Sequence, residues 1–308
     1  MPTISGNVSE SGVPVPGRVI RAYRRDTGAL IGSAVSSDGT SISGDPDFEK
    51  VTLLMHFEGT DGSTAFGDSS GQVRATSVTG SPTISSLQSR FGASSGRFVG
   101  SGAVHMPDVP ALRMGSDDFT VECWVRHTSV SGFQGYLSKR GSNAQFGEFA
   151  LYASGAQVNF LTSTTGSSWT GVTQSGSLLV ADTWVHVAGV RHGSLMRLFV
   201  GGVQAATAAI SGSVVADTHG LAVGANATNG EQPLFGFLDE VRITKGLARY
   251  TANFTPPALK FSDGVADTPG TVGAYAITTA FAGEVQVVCL DDAAGVDYQD
   301  LILRTTPV

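Results

Sequence analysis

Cysteine is close to absent. The 308 residues hold two, Cys123 and Cys289, too few for a disulfide framework and without the spacing of a zinc site. Each lies in an alternating apolar run, which reads as a buried free thiol. Charge is also scarce: Asp, Glu, Lys and Arg make up 15%, with a net charge of −7. A nucleic-acid partner requires clustered Lys and Arg, so that class is excluded. The nearest cluster, Arg18, Arg21, Arg24 and Arg25, is divided between two faces by strand alternation. No apolar run reaches the ~18 residues of a membrane span. Met1 to Glu10 carries neither a basic start nor an apolar stretch, which argues against a secretory signal. Heptads are missing too, so no coiled coil is expected.

Glycine is abundant instead, at 40 residues, and hydrophobic residues reach 41%. Ample apolar content with many turn formers and few charges is the composition of short strands and tight turns. An all-β fold is therefore expected. At roughly 150 residues per domain, the length suggests two domains.

Those two domains are expected to be nested. Ser36-Ser37-Asp38-Gly39-Thr40 is a turn that should lead into a strand, and the next strands of that kind stand far downstream, at 274–279 and 284–290. Residues 1–44 together with 264–308 then read as one small β-sandwich, interrupted by residues 45–263. The sandwich carries Gly6-x-Val8, Gly12-x-Pro14-Val15-x-Gly17, Thr27-Gly28 and Leu290-Asp291-Asp292. These motifs resemble a carboxypeptidase-regulatory, transthyretin-like β-sandwich. The ending, Leu301-Ile302-Leu303 to Thr306-Pro307-Val308, is similar to versions found in bacteriophage structural proteins.

In the insert, period-2 alternation dominates. Residues 51–57, 119–126, 184–190, 195–200, 221–224 and 235–243 read as strands, and residues 245–250 as a short helical turn. An antiparallel sandwich of two sheets, a jelly roll, follows. Leu54-x-His56-Phe57-Glu58-Gly59, Asp68-Ser69-Ser70-Gly71 and Phe91-Gly92-Ala93 occur in order. So do Asp118-Phe119-Thr120-Val121-Glu122-x-Trp124-Val125, Trp184-x-His186-Val187-Ala188 and Phe235-Gly236-Phe237-Leu238-Asp239-Glu240-Val241-Arg242-Ile243. Together they resemble a laminin-G-like, concanavalin A-like lectin/glucanase domain. Gly246-Leu247-Ala248-Arg249-Tyr250-Thr251 and Phe254-Thr255-Pro256-Pro257 are similar to the versions in phage virion proteins.

Glucanases resembling this fold need two carboxylates projecting from a strand into one groove, hence an even spacing. Glu122 and Glu148 each stand alone, and the adjacent Asp239 and Glu240 should point to opposite faces. No enzyme activity is expected. The histidines at 56, 105, 127, 186, 192 and 219 are scattered, and His186 reads as a hydrogen-bonded structural residue.

Asp239 alternates with Phe235, Phe237, Val241 and Ile243. A carboxylate on an apolar face must be hydrogen-bonded, paired or coordinated. The resemblance implies a structural Ca²⁺ between Asp239 and an early acidic residue, Glu58 or Asp68. The alternative is a set of backbone N–H groups or an arginine. The position of the family's sugar-site aspartate is Val99 here. For carbohydrate, Trp169 among small polar residues is the aromatic candidate, with Asn226 and Asn229 supplying polar contacts; a Trp packed beneath its own loop is the alternative. The resemblance implies a non-enzymatic virion protein of a phage tail, fibre or baseplate, with other virion proteins and host-surface glycans as partners and a symmetric or multicopy assembly. The other role it allows is a purely structural decoration protein on capsid or tail.

Overall fold

The computed structural model describes residues 45–264 except 73 and 143, together with Thr27 and the backbone of eight strands outside that range. The turn expected at 36–40, residues 291–300 and the side chain of Cys289 lie outside the described residues. The chain divides into two compact units, one made of 1–46 with 265–308 and the other of 47–264. In the smaller unit, strands from both chain ends share sheets. Thr3–Asn7 pairs with Ala274–Thr278, and Gly283–Leu290 lies between Leu301–Thr305 and Val19–Arg24, with Leu30–Val35 outermost.

The larger unit is an antiparallel sandwich of two sheets, a jelly roll. One sheet has seven strands, in the order Gly171–Ser177, Gln157–Thr162, Phe149–Ser154, Phe133–Lys139, Leu221–Val223, Gly102–Met106, Ser77–Gly80. The other has eight, with Val203–Ala209, Leu195–Val200, Trp184–His192, Phe119–His127, Phe235–Lys245, Ser95–Val99 and Thr83–Ser85 in sequence across the sheet. Val51–Met55 also pairs with Phe235–Lys245. Alternation explains the core: Phe119, Val121, Cys123 and Val125 point inward and meet Leu151, Ala153, Val158 and Phe160 of the facing sheet. Gly189 makes this contact close, because a Cβ there would stand 2.4 Å from the Phe160 ring.

The other phase of the eight-stranded sheet is buried as well, because the chain roofs it. Residues 246–264 run across its outer face. Tyr250 stacks on Phe254 at 3.6 Å between ring centroids, and both pack against Phe199 and His186. Phe261 lies under the Arg242 guanidinium at 3.6 Å, a cation–π contact. No helical turn forms at 245–250. Phe235–Lys245 runs as strand to its last residue, Gly246 turns with φ +81°, and the backbone N–H groups of Gly246 and Arg249 donate to Asp118 O and Thr120 Oγ1 rather than to a helical ladder. Helix among the described residues is limited to two 3-10 turns, Phe48–Lys50 and Pro110–Leu112; neither is long enough to cross a membrane.

Beneath the roof, Glu122 is fully buried. It accepts from Arg242 at 2.8 Å, His186 Nε2 at 3.0 Å and the Tyr250 hydroxyl at 2.8 Å. His186 is thus held structurally by hydrogen bonding. Burial pushes the Glu122 carboxyl up, but Arg242 and His186 outweigh it and hold the group near 2 against an ordinary 4.5. A depressed carboxyl contributes stability that is complete above its unfolded value and is lost as pH falls through its folded one. Unfolding midpoints in urea should therefore fall as pH drops from about 4.5 toward 2, and Glu122→Gln should flatten that decline. Glu122→Ala should cost about 3–5 kcal/mol at neutral pH, because it removes the carboxylate that faces the buried Arg242 guanidinium.

Candidate functional site

The two outer faces differ in how they are covered. On the seven-stranded sheet, Leu151 and Ala153 face the core, which sends Ala150, Tyr152 and Ser154 outward. The ladder sets Tyr152 beside Asn159 and Gly135, and Asn159 beside Gln174. This face therefore carries amides, small residues, the apolar Leu161 and Val172 and one phenol, with no carboxylate on its central strands.

Two loops complete it. The hairpin after Phe133–Lys139 supplies Arg140 and Phe146, and the loop between Gln157–Thr162 and Gly171–Ser177 supplies Trp169. Trp169 is half-buried, edge-on to Phe146 at 5.6 Å, with the Arg140 guanidinium 5.4 Å from its ring. Phe133, 53% exposed, lies 6.2 Å from Tyr152. A second wall comes from residues 224–234. Asn226 O accepts from Ser138 Oγ at 2.8 Å and from Arg140 Nε at 2.6 Å. Gly135 lets this loop lie flat, since a Cβ there would be 2.1 Å from Ala225 C and Asn226 N. Burial pulls the Arg140 pKa down, and the nearby Tyr152 and Glu231 partly restore it; burial pushes Tyr152 up, with Arg140 opposing.

Two polar atoms on this face lack partners. Asn159 Nδ2 and Asn226 Oδ1 are buried without a hydrogen bond, one a donor and the other an acceptor. The sequence candidates Trp169 and Asn226 thus meet through Arg140. Asn229 does not join them: it is exposed at the loop tip, its N–H donates to Gly141 O, and its Oδ1 accepts from Glu231 N. Sequence reasoning missed Arg140, Tyr152, Asn159 and Phe133. The signal for Tyr152 was present, as an aromatic on the solvent phase of Phe149–Ser154.

The acidic candidates lie on the eight-stranded sheet. Asp239 and Glu240 do not point to opposite faces. The ladder to Phe119–His127 shifts register between Glu122 and Trp124, and Glu240 takes φ +49°. This bulge adds one residue and reverses the phase. Leu238, Val241 and Ile243 face the core, so Asp239 does not share a face with Val241 and Ile243. Glu240 accepts from Phe261 N at 2.6 Å and contacts His56 Nδ1 at 2.7 Å. Asp239 Oδ2 accepts from Arg90 N at 2.8 Å and Phe91 N at 3.1 Å, while its Oδ1 is buried and unpaired. Burial pushes its carboxyl up to about 7, although the N–H groups of Phe91 and Arg90 pull it down. Glu58 lies on the other side of the same segment, accepting from Ala93 N and Ser94 Oγ at 3.3 Å.

Asp68 stands apart from this pair. Leu54 N, Ser70 N, Arg74 N and the Arg74 guanidinium already fill its two oxygens, so it fits the backbone-bonded alternative and not a metal. Among the described residues no three His, Cys, Asp or Glu side chains form a group able to hold a metal ion. Glu58 and Asp239 flanking residues 90–94 are what remains of the proposed cation set. The orphaned Oδ1 of Asp239 fits a cation; its ladder partner Trp124 also has an unpaired indole N–H. Glu148 pairs with the buried Lys139 at 3.1 Å.

Residues 98–248 match the family model described as the concanavalin A-like lectin/glucanases superfamily, Laminin_G_3. That match lies within the larger unit and spans just under half of the chain. Among solved structures, the HCR/D tryptophan-to-alanine mutant aligns with a TM-score of 0.51 and 8% identity, over 67% of this chain and 51% of that one. The binding domain of botulinum neurotoxin DC in complex with SialylT aligns at 0.48 and 11%, over 65% and 49%. Domain 4 of AbnA, a GH43 extracellular arabinanase from Geobacillus stearothermophilus, in complex with arabinotriose, gives 0.44 and 18%, over 64% and 93%. The chain spans about half the length of the neurotoxin binding domain. The likeness to the HCR/D mutant is one of fold. No curated protein sequence matches the chain.

Arg140 ties the 224–234 loop to the lectin-like face. Arg140→Ala should leave the fold intact but speed amide exchange at residues 225–232, read by hydrogen–deuterium exchange. The lost hydrogen bond to the Asn226 carbonyl corresponds to about 1–3 kcal/mol of local opening.

Proposed function

We propose that the larger unit is a non-enzymatic, lectin-like module that binds glycans on the outer face of its seven-stranded sheet. The observation that carries this reading is the aromatic strip of Phe133, Tyr152, Trp169 and Phe146, flanked by Asn159 and Asn226 with unfilled hydrogen-bonding atoms. Sugar rings offer apolar C–H faces to aromatics and hydroxyls to amides, so this combination suits them. The absence of carboxylates on the central strands of this face supports binding over hydrolysis. Asp239 and Glu240 are roofed on the opposite sheet and engaged with backbone donors.

The wider setting we propose is a bacteriophage virion, in a tail, fibre or baseplate, present as a symmetric or multicopy assembly. Support comes from the resemblance of the flanking segments and of residues 246–257 to phage structural proteins. The small unit then attaches to other virion proteins, and the lectin-like unit meets host-surface glycans. A structural Ca²⁺ belongs to the same proposal. Asp239 and Glu58 would hold it with hard oxygen ligands, and its charge would offset the burial of Asp239.

Trp169→Ala in the full chain should weaken binding to host cells or to a glycan array by about tenfold or more, with an unchanged melting temperature. A folded wild-type chain that binds neither would replace this reading with that of a decoration protein. Release of reducing sugar from host polysaccharide would replace it with a hydrolase. For the cation, Ca²⁺ should raise the melting temperature and a chelator lower it, and Asp239→Asn should abolish the shift. Indifference of the wild type to both would leave Asp239 held by the backbone N–H groups of Arg90 and Phe91 alone.

A further inference from the structure

The lectin-like reading leaves open how much of a glycan the face engages, and the placement of its aromatics answers that. Strand Phe149–Ser154 runs along the floor of the site. At one end, Ser154 pairs with Phe133, which lies against Tyr152. At the other, Phe149 pairs with Thr162, and Thr162 O accepts from Thr170 N, beside the Trp169 and Phe146 pair. Five residue steps separate the two ends, or about 17 Å at ~3.3 Å per residue. One sugar ring cannot touch both platforms. Asn159 lies beside Tyr152, its ladder partner, with its Nδ2 unfilled. Arg140, the cation of the strip, faces the Glu231 carboxylate, whose negative charge opposes an anionic sugar there.

We infer that the site takes an extended, neutral oligosaccharide, held along Phe149–Ser154 by two separate aromatic platforms, rather than a single terminal or acidic sugar. This inference rests on the lectin-like reading of the same face. The ligand is expected to lie along the strand, with Trp169 and Phe146 under one sugar and Phe133 with Tyr152 under another several units away.

The test is a chain-length series. The full chain is titrated by calorimetry with neutral cello-, malto-, arabino- and chito-oligosaccharides, each from monosaccharide to hexasaccharide, and with sialyllactose. In the series that binds, affinity should rise about tenfold or more between the disaccharide and the pentasaccharide and then level off. Phe133→Ala changes an exposed side chain, so folding is not at issue. It should return the pentasaccharide to the affinity of a shorter one and leave the disaccharide unchanged, whereas Trp169→Ala should weaken every length. Equal affinity for monosaccharide and hexasaccharide, indifference of all lengths to Phe133→Ala, or preference for sialyllactose would overturn the inference while leaving the lectin-like reading in place. Binding of no sugar at any length would overturn both.

Discussion

A carboxylate with no access to water, Glu122, gathers an arginine, a histidine and a tyrosine from three separate segments. Sheets in sandwiches ordinarily leave one face to solvent. Here the eight-stranded sheet has both faces covered, and polar side chains on the outer one must be satisfied from within the protein. Glu122 meets that demand for Arg242, His186 and Tyr250 together. Tyr250 belongs to the 246–264 segment, so the charge that needs shielding also fastens its shield. The aromatic contacts of Tyr250, Phe254 and Phe261 then close over it. If the hub were lost, the roof and the buried guanidinium would both lose their reason to stay in place.

The bulge at Asp239 and Glu240 shows how one residue redirects chemistry. With strict alternation, one of these carboxylates would enter the core, where nothing polar waits for it. The extra residue at φ +49° puts Leu238 and Val241 inside and leaves both acids among backbone donors. The left-handed conformation carries an energetic cost for a residue with a Cβ, and the backbone hydrogen bonds accepted by Asp239 Oδ2 and Glu240 offset it. This arrangement also separates the acidic residues from the aromatic strip by the full thickness of the sandwich.

Much of this architecture is legible in the sequence. Alternation in Phe119 to Arg126 marks a strand, and the apolar phase names the core residues that the structure buries. Legibility fails where phase is broken or where loops meet. Nothing local in Leu238-Asp239-Glu240-Val241 announces a bulge, because a bulge is fixed by the register of the neighbouring strand. Trp169 was visible as a lone aromatic among small polar residues. Arg140 was not, because its role depends on a carbonyl 86 residues away. Asn229 looked equivalent to Asn226, and only the loop's path separates them: one is drawn onto the sheet, and the other closes the turn beyond it.

The roof has a consequence for geometry of approach. A sandwich has two broad sides, and a freely diffusing partner could in principle meet either. Residues 246–264 cover much of one of them with the chain's own aromatics, whereas the opposite side carries Phe133, Tyr152 and Trp169 at its surface. Copies of the lectin-like unit fixed in parallel would present their recognition faces with a common heading, and a weak contact made by each could be added across a surface by avidity alone.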